Sequence, residues 1–167
     1  STLIGKGYST ATLHWSTITT TQRLQAFVNA VPGRDVIYIF EHGNANGPGP
    51  LDSWMLGTVN FGTTHPFLLS ASCLTGDYTN GDFVEAIFDR GVGSGIAATQ
   101  LSPMNVNSVC GVDLYGAKIM TESVGKLFTE LKRSYWDNGK WYRFWSAEYN
   151  LYGDPKYGAS LSALSGE

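Results

Sequence analysis

The chain reads as an α/β fold of three layers, a mostly parallel sheet held between helices, and three observations say so. Val36 to Glu41 and Phe67 to Ser72 are short apolar runs without polar alternation, the pattern of strands covered on both faces. Segments with helical spacing lie between and after those runs, and strands alternating with helices make layered α/β architectures. The length of 167 residues, with 43% hydrophobic and 15% charged residues, suits one domain with a real core.

Thr10 to Leu13, with β-branched Thr10 and Thr12 after Gly7-Tyr8-Ser9, is expected to form a first strand. Thr19-Thr20-Thr21 then offers N-caps for a helix whose apolar face is Leu24, Phe27, Val28 and Val31, ended by Pro32-Gly33. The strand to Glu41 follows, and Asn44 to Pro50 is a loop by composition. After the strand ending at Ser72 comes a turn-rich stretch through Asp82. A short helix carrying Phe83, Val84, Ile87 and Phe88 then stops at Gly91. Gly95 to Gln100 reads as a further strand. Met120, Val124, Leu127, Phe128, Leu131 and Tyr135 keep helical spacing, which predicts one long amphipathic helix from Leu114 to Tyr135. The remainder reads as aromatic and irregular. Residues 1–158 are taken as the domain and 159–167 as a tail of small residues. About four strands are visible, few for a sheet with two covered faces.

The chemistry gathers where two strands end. In open parallel sheets ligands sit outside the carboxyl ends of the strands. His42-Gly43 closes the first apolar run, and Cys73, after Ser72, closes the second. A thiol and an imidazole brought to that edge by neighbouring strands are the minimum equipment for nucleophilic catalysis. Gly43 lets the backbone approach a ligand, and a backbone N–H there suits an oxyanion. Cys110, the second cysteine, reads as a small buried hydrophobe.

His-Gly after one apolar strand, and a small residue plus Cys after the next, resembles the caspase-like cysteine peptidases, and within them the gingipain family. Cys73-Leu74-Thr75-Gly76-Asp77-Tyr78 is similar to that family's Cys-x-x-Gly-Asp-aromatic segment, and Leu151-Tyr152-Gly153-Asp154-Pro155 to its closing Gly-Asp-Pro motif. The spacing between His42 and Cys73 and the placing of Trp54 also fit, and the resemblance runs from Gly7 to Gly158. It implies a caspase-like three-layer sandwich and a cysteine endopeptidase. Cys73 would be the nucleophile, His42 the acid and base, and the N–H groups of Gly43 and Cys73 the oxyanion hole. Thr99, Gln100, Leu101, Ser102 and Pro103 would wall the pocket for the side chain before the cut bond. It further implies a peptide or protein substrate, a preference for basic residues before that bond, and a secreted or cell-surface location. Asp77, Asp82 and Glu85 read first as a solvated turn, and the resemblance adds calcium, which family members often bind, as an optional structural ion for them; no cofactor is expected to be required.

Two departures accompany the match. The family's acidic partner for the histidine, and its N-terminal strand and helix, lie upstream of the matching segment, so the chain is expected to work with a separate upstream segment of its precursor. Glu41, beside the histidine, should point away from it by strand alternation and reads as structural.

Composition narrows the rest. A net charge of -3 offers no basic footprint for nucleic acid, and no apolar run reaches membrane-spanning length. Gly91-Val-Gly-Ser-Gly95 precedes a strand where a dinucleotide fingerprint would follow one, and His14, His42 and His65 lack metal-ligand spacing. Two rival functions stand beside the peptidase. One is a catalytically incompetent relative that binds peptides or proteins. The other is a carbohydrate-binding module built on Trp136, Trp141, Tyr142, Phe144 and Trp145, although that cluster is expected to pack over the sheet.

Overall fold

The computed structural model describes residues 19–49, 51, 53–56, 58–116 and 122–158. The strand expected at Thr10 to Leu13 lies outside them.

Helix α1 (Thr20–Ala30) begins where the sequence places its cap. Thr19 accepts the Gln22 N–H through its hydroxyl, and the Gln22 side chain accepts the Thr19 N–H, a reciprocal capping box. Strand β1 (Val36–Phe40) follows, then a two-rung antiparallel ribbon of β2 (Gly43–Asn44) and β3 (Gly47–Pro48) inside the segment expected as loop. After the short α2 (Ser53–Leu56) come β4 (Phe67–Ala71), α3 (Phe83–Asp89) and β5 (Ser94–Ala98), each within two residues of its predicted ends.

The second half departs from expectation. The single long helix is two. Helix α4 (Met104–Tyr115) ends at Gly116, and α5 (Val124–Trp136) starts afresh where Ser123, in extended backbone, accepts the Lys126 N–H through its hydroxyl. The stretch expected to be irregular holds α6 (Lys140–Glu148) and, with no intervening loop, strand β6 (Tyr149–Gly153). Ser94↔Gly153 through Ala98↔Tyr149 pairs β6 antiparallel to β5, burying Tyr149 and half-burying Tyr152 in a segment that carried no clean strand period.

The described strands form a sheet in the order β1-β4-β5-β6, with β1, β4 and β5 mutually parallel. Alternation divides its side chains between two cores. Phe67, Leu69, Ala71, Ile96 and Ala98 face α4, α5 and α6, where Val106, Cys110, Leu114, Leu127, Phe128 and Trp145 are buried. Ile37, Ile39 and Leu68 face the opposite way, against Phe27 and Val31 of α1 and its C-cap, Leu56 of α2, Phe83 and Ile87 of α3, and the connecting Leu51 and Phe61. The result is the mostly parallel α/β sandwich expected, of caspase-like type.

The aromatic cluster expected to pack over the sheet divides in two. Trp145 is fully buried, stacked on Tyr149 at 4.2 Å, whereas Trp136, Trp141 and Phe144 stay exposed on the outer faces of their helices.

Candidate active site

Parallel register brings the predicted pair together. Phe40 is opposite Ala71 in the β1–β4 ladder, so His42 and Cys73 each stand two residues beyond the same rung, on strands about 4.8 Å apart. Gly43 fixes the approach. A Cβ at that position would come within 2.8 Å of both the Cys73 carbonyl oxygen and the Ser72 Cβ, so only glycine lets the two strand ends meet. The β2–β3 ribbon then folds back, and the Gly49 N–H donates to the His42 carbonyl at 2.5 Å. Glu41 turns its carboxylate onto the His42 backbone N–H at 2.8 Å, a structural role, and leaves the imidazole alone. The His42 ring is exposed, and among the described residues no hydrogen bond or ion pair holds it.

Cys73 is partly exposed and free. The next residue, Leu74, takes φ of +61°, a left-handed conformation that costs a branched side chain energy and turns the chain sharply behind the thiol. Surrounding bonds hold that turn: the Leu74 N–H donates to the Gln100 carbonyl at 3.0 Å and the Gly76 N–H to the Ala98 carbonyl at 2.7 Å. The buried Thr75 hydroxyl donates to the Ser70 hydroxyl at 2.9 Å. Cys110, by contrast, is fully buried, and burial pushes its thiol up to about 12, with the nearby Asp113 acting the same way.

The segment expected as a pocket wall lies against the thiol. The Ser102 N–H donates to Cys73 Sγ at 3.3 Å. Gln100 and Leu101 are exposed, Thr99 and Ser102 partly buried, and Pro103 caps α4. Asn107 anchors this segment from α4. Its amide nitrogen donates to the Ser102 hydroxyl and the Ala71 carbonyl, and its amide oxygen accepts from Tyr149 at 2.8 Å and Trp145 at 3.1 Å. The Ser102 and Tyr149 hydroxyls also bond each other at 2.7 Å.

Glu148 was not legible as part of this site. Strand β6 runs opposite to its neighbours, so its N-terminal end sits at their carboxyl edge. Glu148 immediately precedes it, and its carbonyl accepts both the Thr99 N–H and the Thr99 hydroxyl at 3.0 Å. Its side chain is 3% exposed, and neither carboxylate oxygen has a hydrogen-bond partner. Burial pushes the carboxyl up to about 8; the Ser102 hydroxyl lies close enough to favour its charge without reaching bonding geometry. The signal in the sequence was a lone glutamate before Tyr-Asn-Leu-Tyr-Gly, readable only once that segment is known to be a strand.

Other motifs settle elsewhere. Asp77 accepts from the Thr79 and Asn80 side chains at 2.6 and 2.7 Å, and these bonds hold its carboxyl below its usual range. Asp82 and Glu85 open α3, and among the described residues no three metal-ligating side chains form a group. Gly-Asp-Pro works as a fastening. Gly153 takes φ of +83° where a Cβ would strike the Gly93 carbonyl, and the Pro155 carbonyl accepts the Gly125 N–H at 2.9 Å, fixing the start of α5. No helix among the described residues is long and apolar enough to cross a membrane.

One comparison with known proteins identifies a family. The family model described as Peptidase family C25 matches residues 4–159, most of the chain. Searches of curated proteins and of solved structures return no significant match. A histidine and a cysteine at adjacent parallel strand ends, in a chain matched almost throughout, place the protein: it belongs to Peptidase family C25, the gingipain family of cysteine peptidases.

Proposed function

We propose that the chain is the catalytic part of a cysteine endopeptidase in which Cys73 and His42 act as a dyad. The observation that supports this reading is the close approach of Gly43 to Ser72 and Cys73, where an added Cβ would lie 2.8 Å from the Cys73 carbonyl oxygen and from the Ser72 Cβ. The Cys73 thiolate attacks the scissile carbonyl carbon, and the N–H groups of Gly43 and Cys73 take the oxyanion. The His42 imidazolium gives its proton to the leaving amine, and the C–N bond breaks to leave a thioester. His42 then takes a proton from water, whose hydroxide attacks the thioester; the C–S bond breaks to release the thiolate and a carboxylic acid, which loses its proton to solvent. The side chain before the cut bond enters beside Thr99 to Pro103, with a preference for Lys or Arg.

The unheld His42 ring is what favours the rival reading, a peptide-binding relative without activity. In the catalytic reading the ring's acidic partner comes from an upstream segment of the precursor, joined at the edge of β1 that is unpaired among the described residues. Peptide hydrolysis is therefore best measured on the 167-residue chain alone and on a form that carries an upstream segment, side by side. Cys73→Ala should abolish turnover, and His42→Ala should lower it at least about a hundredfold, the scale of a positioned acid–base group. Normal turnover by His42→Ala would remove the dyad, and no turnover by any form would favour the binding reading.

A further inference from the structure

Among the described residues, both outer strands of the sheet lack a partner on one side. The open edge of β1 is the one proposed above for an upstream segment; that of β6 has a different setting. The Thr99 N–H donates to the Glu148 carbonyl, which sets the phase of the β5–β6 ladder. Residues at even steps from Glu148 face β5, so Leu151 turns its own N–H and carbonyl outward. Unpaired backbone groups of this kind are a template for another strand. An open groove of about 730 Å3 lies between this strand and α5, lined by Leu151 and Pro155 on one side and Phe128 on the other. Its charge is opposite to that of the chain as a whole, which is -3. Lys126, Lys132 and Arg133 line it, against Glu130 alone. Lys126 is held by Glu122 at 2.8 Å, the one ion pair among the described residues, so Lys132 and Arg133 have no carboxylate there. Lys132 is half-buried, its ammonium 4.8 Å from the centre of the Phe128 ring. Burial holds that ammonium below the usual lysine range, and no anion among the described residues offsets the cost.

We propose that this groove binds an extended acidic peptide segment, added as a strand to the open edge of β6. Main-chain hydrogen bonds to Leu151 supply the pairing, and side chains of the added strand supply the selectivity. Those on one face recur every second residue, about 6.6 Å apart, so an apolar one can cover Leu151 and Phe128 while the next offers a carboxylate to Lys132 or Arg133. A polyanion without apolar side chains would leave the Leu151 backbone and the apolar walls uncovered. The groove stands apart from the candidate active site. His42 and Cys73 lie at the ends of β1 and β4, and β5 separates β4 from β6. The proposal therefore does not rest on the dyad.

Binding is read by fluorescence anisotropy on the full-length Cys73→Ala chain, so that turnover by the proposed dyad does not consume the probe. The probe is a short labelled peptide with valine and aspartate alternating along one face and threonine filling the other. It should bind at least about tenfold more tightly than its asparagine counterpart, the scale of one charge-assisted bond, and weaken as salt rises. Lys132→Gln combined with Arg133→Gln should erase that difference and leave the asparagine peptide unchanged. N-methylation of alternate amides should abolish binding in one set and spare it in the other, because only one set faces β6. Absent binding, or equal binding of the aspartate and asparagine peptides, would overturn the proposal whether or not the variant folds. So would an aspartate preference that survives the double substitution, or tolerance of methylation in both sets. Sedimentation showing a dimer that the double substitution disperses would give the groove to a second copy and overturn it as well. His42→Ala should leave peptide binding as it is, so failure of the peptidase reading and failure of this one are read separately.

Discussion

Side chains of one chemical type are set apart here by what surrounds them. The two cysteines differ in burial alone before any mechanism is considered. Cys110 is fully covered, its thiol pushed up to about 12, whereas Cys73 stands partly open beneath the Ser102 N–H. Timed iodoacetamide labelling at neutral pH, followed by peptide mapping, should therefore modify Cys73 far faster than Cys110. Equal rates would remove the physical contrast on which the nucleophile assignment stands. Glu148 gives a second residue-scale test. Its carboxyl rises from an ordinary 4.5 to about 8 on folding, so between those values the folded chain holds a proton that the unfolded chain has lost. Its favourable contribution is thus complete below the unfolded value and disappears as pH rises toward 8. Thermal unfolding should show the midpoint falling between pH 5 and pH 8, and Glu148→Gln should flatten that fall. A fall of unchanged slope in the variant would mean that other groups cause it.

At the scale of elements, two parallel strands end in step, and a missing side chain lets them converge. Gly43→Ala would add a methyl 2.8 Å from the Cys73 carbonyl, an overlap relieved only by separating His42 from Cys73. A displacement near 1 Å at a reacting centre costs about a hundredfold, so the variant should stay folded and lose activity on that scale. Circular dichroism alongside peptide hydrolysis checks both halves, and full activity would mean that the ends need not touch. The readable elements were those with local causes. Capping by Thr19 marked α1, and unbroken apolar runs marked β1 and β4. The break between α4 and α5 escaped because the spacing ending at Tyr135 continues plausibly backward. Its real marks were the Gly116 terminus and the Ser123 cap, together with Val106, Cys110 and Leu114 repeating every four residues along α4. Strand β6 escaped because α6 runs into it directly and its partner lies about fifty residues upstream. Long-range pairing of that kind overrides local pattern.

Across the whole molecule, the candidate site was half visible for the same reason. His42, Gly43, Cys73 and the Thr99 to Pro103 segment each follow a strand the sequence announces, and the match to Peptidase family C25 spans them all. Asn107, Tyr149 and Glu148 join them through α4 and the antiparallel β6, elements whose side-chain roles depend on tertiary packing.

That antiparallel strand also sets a clock. Chains emerge from the ribosome N-terminus first, and β1, β4 and β5 with their helices are all synthesised before Tyr149 appears. Until it does, Thr99 lacks the Glu148 carbonyl and Ser102 lacks the Tyr149 hydroxyl, so the loop that braces Cys73 has nothing to close against. A nascent thiol of this design is exposed to other growing chains while its surroundings are unfinished. Because that strand follows the others in the chain, completion of the site waits until β1, β4, β5 and helices α4 to α6 have all been made.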